Sequence, residues 1–130
     1  MIVLDTHAWI WWMNDTDRLR SEVRNLIDSS PQVHISAISL MEVATAAVRG
    51  RVILTPSIEE WFVDANVIQS LRVNPLTERL CIAAARLADG FHGDPADRLI
   101  VALARQLDVP LVTADHRILA YPHVQTVAAD

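Results

Sequence analysis

Four carboxylates stand where the sequence changes character: Asp5, Glu42, Asp97 and Asp115, with Asp94 close beside the third. Asp5 follows the apolar run Ile2-Val3-Leu4, and Asp115 closes Leu111-Val112-Thr113-Ala114. Glu42 and Asp97 fall near the starts of helical patterns. Brought together without a histidine or cysteine set, such acids form an oxygen-only ligand set, suited to Mg2+ or Mn2+ rather than zinc. Without a cation their like charges would raise one another's pKa values and destabilise the fold. A metal pair ~3.5–4 Å apart activates water and stabilises the leaving oxygen of a phosphodiester. The chemistry implied is metal-assisted phosphodiester hydrolysis, which needs no covalent nucleophile.

That chemistry requires a fold that gathers the acids. The run ending at Asp5 is short and too apolar for an edge, so it reads as a central, buried parallel strand. Further strands are predicted at 33–36, 71–73, 111–115 and 124–127. Helices are predicted at 7–13, from 17 through Leu19, Val23, Leu26 and Ile27, at 39–49, from 56 to about 68, at 77–88 and at 95–107. Gly50 closes one helix at C′, and Pro95 opens another at N1. Residues 52–55 read as an extended connection. Strands alternating with helices predict one α/β domain over residues 1–130, built on a parallel sheet.

In that topology Asp5 and Asp115 lie at the carboxyl edge of the sheet, where ligands bind. Glu42 follows the second strand in the first turn of its helix, at the same edge. The helix from Pro95 runs into the strand ending at Asp115 and is antiparallel to it. It therefore begins at that edge, and Asp94 and Asp97 join the cluster.

Each acid also has a structural reading. Ser39-Leu40-Met41-Glu42 has the grammar of a capping box, and Asp94 with Asp97 could cap their own helix. Ser57-Ile58-Glu59-Glu60 shows the same grammar with no sign of chemistry. Asp115 could be a turn residue. Asp5 has the weakest such reading, because no cap or turn needs an acid there. His7, His92 and His116 lie near the acids in sequence and invite a general-base reading, although metals alone can generate the nucleophile. Trp9, Trp11 and Trp12 cannot all face one way on a helix. Core packing, a protein interface and stacking on RNA bases are the three readings for them, in that order.

The totals set outer bounds. The chain has 130 residues, 52% of them hydrophobic and only three of them glycine, which fits a compact, helix-rich core rather than disorder. No apolar run is long enough to span a membrane, and Asp5 interrupts the start too early for a signal-peptide core. Cys81 is the only cysteine, which excludes an internal disulfide and fits a reducing cytoplasm. Its apolar neighbours predict a buried, inert thiol. Net charge is −5, yet all eleven basic residues are arginine, which suits bidentate phosphate contact. Charge therefore neither supports nor excludes a nucleic-acid partner.

Asp5-Thr6-His7, Ser36-x-x-Ser39-x-x-Glu42, His92-Gly93-Asp94-Pro95-Ala96-Asp97-Arg98 and Thr113-Ala114-Asp115 together resemble a PIN domain. More narrowly they resemble the VapC-type toxin ribonucleases of bacterial toxin–antitoxin pairs. The similarity covers essentially the whole chain, with the motifs in the family's order. It implies a three-layer α/β/α fold with a five-stranded, mostly parallel sheet, and Mg2+- or Mn2+-dependent endoribonuclease activity. It also implies a homodimer and inhibition by a cognate antitoxin protein. By motif, Asp5, Glu42, Asp97 and Asp115 correspond to the metal-binding acids, with Asp94 auxiliary. Thr6 and Ser39 would orient these carboxylates, and Arg98 would contact phosphate or form an ion pair. The chain departs from the family at Ala96, where relatives often carry an aromatic, and at Ala46, where they often carry lysine. Arg49 and Arg51 are candidates to replace that lysine.

Two other enzyme classes end a strand on aspartate. A haloacid-dehalogenase-like phosphatase would want a second aspartate where His7 stands, and a receiver domain would want a lysine that this chain lacks. Both fail. The remaining rival is a catalytically silent PIN-like module that holds an antitoxin or RNA.

Overall fold

The computed structural model describes residues 1–91 and 93–130. In chain order the elements are β1 (Ile2–Leu4), α1 (Thr6–Asn14), a 3-10 turn (Thr16–Arg18), α2 (Ser21–Ser29), β2 (Val33–Ser36) and α3 (Ala37–Val48). Then come α4 (Ile58–Asn66), β3 (Leu71–Asn74), α5 (Glu78–Ala85), α6 (Pro95–Leu107), β4 (Leu111–Thr113), α7 (His116–Leu119) and β5 (Thr126–Ala128).

The five strands form one sheet in the order β3-β2-β1-β4-β5, and each neighbouring pair is parallel. β1, β2 and β4 are wholly buried, whereas the edge strands β3 and β5 are only partly covered. Alternation along each strand divides the core. Ile2, Leu4 and Val112 face a cluster with Trp9, Val23, Ile27, Val43 and Trp61, carried by α1 to α4. Val3 and Leu111 face Leu80, Ile100, Leu103 and Ile118, carried by α5 to α7. The result is the three-layer α/β/α arrangement expected from the sequence.

Strand order matters for the site. The chain winds outward from β1 through β2 to β3, then crosses back to lay β4 on the other side of β1. The boundary between β1 and β4 is therefore the topological switch point, where a crevice opens at the carboxyl ends of the strands. The acids at the ends of these two strands flank that crevice.

Local physics moved several boundaries. α2 begins at Ser21, because Asp17 and Arg18 belong to a separate 3-10 turn. α3 begins at Ala37 rather than Ser39: Ser36, the last residue of β2, accepts a bond from the Ile38 amide and caps the helix directly off the strand. α5 stops at Ala85, short of the positive-φ pair Asp89 and Gly90. Cys81 is exposed, contrary to expectation. The period of α5 turns Leu80 and Ala84 into the core and leaves Cys81 and Ile82 outside. Of the tryptophans, Trp9 is fully buried and Trp11 nearly so, while the half-buried Trp12 donates its Nε1–H to Asp28 at 2.9 Å. Core packing is thus the main use of that cluster.

Candidate active site

Asp5 follows β1 and, contrary to the expectation that no cap needs an acid there, caps α1, because the helix starts directly off the strand. Its Oδ1 accepts the Thr6 amide at 2.8 Å, and its Oδ2 accepts Thr113 Oγ1 at 2.6 Å from the end of β4. The side chain is buried, and burial raises its pKa against the pull of these two bonds. Desolvation outweighs the two bonds, and the charge of Asp115 adds to it.

Glu42 reaches the crevice from the second turn of α3, not the first. It is not the partner in a capping box. Ser39 lies inside the helix, fully buried, and Ser36 does the capping. Thr6 Oγ1 donates to Glu42 Oε1 at 2.5 Å and lies 2.8 Å from Ser39 Oγ. A hydroxyl has one proton to give. With Thr6 spending it on Glu42, Ser39 donates to Thr6, and a relay Ser39–Thr6–Glu42 fixes the carboxylate. Burial also raises the Glu42 pKa, with Asp5 and Asp94 adding to it. By contrast Ser57 does cap, accepting the Glu60 amide at 3.1 Å.

Asp94 is the N-cap of α6 and accepts the Asp97 amide at 2.9 Å, with Pro95 at N1. Asp97 stands on the first turn, its side chain 14% exposed. Burial first, then the charges of Asp94, Asp5 and Asp115, push its pKa up to about 6. Gly93 makes this approach possible. A Cβ there would lie 2.8 Å from Asp97 Cβ and would collide with the Phe91 ring.

Asp115 caps the short α7 through the Arg117 amide at 2.8 Å. Arg117 itself went unnoticed in the sequence. Its Nη2 lies 3.2 Å from Asp115 Oδ2 and 3.3 Å from Asp97 Oδ2, so one guanidinium bridges two of the acids. Burial pushes Asp115 up, but the bonds from Arg117 outweigh it and hold that carboxyl below its ordinary range.

Asp5, Glu42, Asp94, Asp97 and Asp115 line one cavity of about 370 Å³, together with Thr6, His7 and Arg117. The donors are all oxygen, in a partly buried place where unneutralised charge is costly, so their chemistry fits a divalent cation. Among the described residues, no three His, Cys, Asp or Glu side chains are drawn closely enough to cage an ion as they stand. Their oxygens are turned instead toward Thr6, Thr113 and Arg117.

A family model described as the PIN domain matches residues 2–124. This chain belongs to the PIN domain family. It is 31% identical over 126 residues to ribonuclease VapC22 of Mycobacterium tuberculosis, covering 97% of this chain and 95% of that protein. Among solved structures it is similar to VapBC2 from Rickettsia felis bound to a promoter DNA fragment. That likeness has a TM-score of 0.73 at 18% identity, with both chains covered in full. It is also similar to M. tuberculosis VapC20, a sarcin-ricin loop cleaving toxin, with a TM-score of 0.62 at 18% identity over 95% of this chain and 98% of that one. At these identities the structural likeness establishes the fold alone.

Other candidate residues of this PIN domain fall less centrally. Arg98 donates to the Ala84 carbonyl at 3.1 Å and the Phe91 carbonyl at 2.5 Å, which ties α6 to the end of α5 and its loop. His7 lines the cavity with its ring near Trp11. His116 is exposed at the start of α7, and His92 lies outside the described residues. Thr113, whose hydroxyl holds Asp5 Oδ2, is a site residue that sequence reasoning does not single out. An extra hydroxyl at the end of an apolar strand was its signal.

Proposed function

We propose that this PIN domain is a divalent-metal-dependent endoribonuclease, acting as the toxin of a toxin–antitoxin pair. The observation that carries the reading is the convergence of Asp5, Glu42, Asp97 and Asp115, from four separate chain segments, on one cavity at the switch point of the sheet. In this reading those acids hold Mg2+ or Mn2+, with Asp94 auxiliary. Bound there, the metal supplies an activated water and stabilises the leaving oxygen of an RNA phosphodiester. Thr113 aims Asp5, and the Ser39–Thr6 relay aims Glu42. We assign Arg98 to holding the loop before α6 rather than to phosphate, because two carbonyls occupy its guanidinium.

Similarity to a protein named ribonuclease VapC22 and to VapBC complexes supports the toxin reading and a cognate antitoxin as partner. A homodimer and a cytoplasmic location belong to the same proposal. Among the described residues, no helix is long and apolar enough to cross a membrane. The test is cleavage of a mixed tRNA and ribosomal RNA pool with and without Mg2+, beside an Asp97→Asn variant prepared identically. Cutting that needs both the metal and Asp97 upholds the reading; equal cutting by both proteins refutes it.

One observation favours a second reading. Arg117 already neutralises two of the acids, as it would in a silent module that holds a partner without cutting. Such a module would gain no thermal stability from Mn2+, whereas a metal enzyme would.

A further inference from the structure

A second groove, of about 570 Å³, opens between α1 and the far end of α3. It adjoins the acid cavity, with Thr6, His7, Trp11 and Glu42 lining both. At its outer end stand Arg18, Arg49 and Arg51, all exposed. We propose that this groove seats the single-stranded RNA flanking the scissile phosphate, with these three arginines gripping its backbone. The proposal rests on the ribonuclease reading and extends it to the substrate's path.

Charge carries the inference. The chain is acidic overall, at −5, and its acid cavity repels a polyanion. A strand that places one phosphate at the acids needs compensating cations where it leaves. The arginines stand there and form no ion pair with a described carboxylate; the described pairs use Arg24, Arg117 and His123. Arg18 is held instead over Trp11, its guanidinium carbon 4.4 Å from the ring centroid. A cation fixed by an aromatic face keeps its N–H edges free for phosphate oxygens, and its outer plane free for a base. Gly50, at φ +71°, turns the chain between Arg49 and Arg51, and the Arg51 amide closes the turn on the Ala46 carbonyl at 2.8 Å. Two arginines flanking one turn thus line the same groove as a third from the 3-10 turn after α1. The volume lies within the ~300–1,000 Å³ of sites that enclose small ligands, on the scale of a nucleotide or two.

The test uses the full chain on an Asp97→Asn background, so that bound RNA stays intact. The probe is a short fluorescein-labelled single-stranded RNA of mixed sequence, titrated at several salt concentrations. Replacing Arg18, Arg49 and Arg51 together by glutamine should weaken binding roughly tenfold and flatten the slope of log K against log salt by about 2, near 0.7 per lost contact. The matching triple lysine variant should keep most of the slope. The Mn2+-dependent rise in Tm, and Mg2+-dependent cleavage by a wild-type-background triple variant, are read alongside. An unchanged affinity and slope in the glutamine variant overturns the groove as the RNA path. So does a glutamine variant that retains RNA binding but loses the antitoxin, which would assign the groove to protein. If RNA binding depends on the arginines while neither Mn2+ stabilisation nor cleavage occurs in wild type, the groove stands and the nuclease reading falls.

Discussion

Thr113 Oγ1 donates a 2.6 Å hydrogen bond to Asp5 Oδ2, joining residues 108 positions apart across the switch point of the sheet. The same oxygen accepts the Asp115 amide at 3.0 Å. One hydroxyl therefore ties together the two aspartates that end β1 and β4.

Thr113→Val keeps the shape of this fully buried side chain and removes both bonds. Leaving a buried carboxylate oxygen unpaired should cost about 1–3 kcal/mol of stability, read by denaturant unfolding. Mn2+ affinity and cleavage should fall about 10–100-fold, as for other residues that orient metal ligands. Unchanged Mn2+ binding in a folded variant would show that Asp5 needs no such support.

Asp97 sets a pH dependence. Its pKa is about 6 in the fold against 3.8 as the ordinary value, so the folded state holds the extra proton between those limits. Stability of the metal-free protein should therefore fall as pH rises from about 4 to 6, by roughly 1–3 kcal/mol from this group. Thermal melts in EDTA at pH 4 and pH 7 read the effect; Asp97→Asn should shrink it and raise the pH 7 melting temperature, while Asp5 and Glu42, which burial also pushes up, keep the remainder. Mn2+ affinity should run the other way, weakening below about pH 6 as protons compete for the carboxylate.

Arg117 and a divalent cation compete for Asp97 and Asp115. Arg117→Gln should lower the melting temperature of the metal-free protein, because it leaves those carboxylates uncompensated. The same change should tighten Mn2+ binding in isothermal titration. Weaker Mn2+ binding would instead make Arg117 a support for the ion.

Gly93 is needed for close approach. Gly93→Ala would drive a methyl into Phe91 and Asp97. Overpacking of this kind costs about 1–3 kcal/mol, and displacement of Asp97 should reduce cleavage further than the loss of stability explains. A variant with wild-type cleavage and melting temperature would mean that the loop gives way freely.

Much of this arrangement was legible in the sequence because it depends on local rules. An apolar run that stops at aspartate marks the carboxyl end of a buried strand, so Asp5 and Asp115 could be placed on one edge. Asp94-Pro95 marks a helix start, and the direction of that helix carried Asp97 to the same edge. Ser39 to Glu42 misled because a capping box is also a local pattern, and the sequence does not reveal that Ser36 caps first. Cys81 misled because apolar neighbours suggest burial, while the helical period determines which of them turn inward.

Tertiary structure decided what depends on which elements become neighbours. That β4 lies against β1, so that Thr113 meets Asp5, is a property of sheet order and not of either strand. Ser39 reaches Glu42 only through Thr6 of another helix. Arg117 bridges Asp97 and Asp115 because α6 and α7 begin at the same crevice, and Arg18 joins Arg49 and Arg51 only where α1 flanks α3. Local propensity sets where each carboxylate sits on its own element. Long-range packing sets how deeply each of Asp5, Glu42 and Asp97 is buried and which charges stand beside it, and through that its charge state.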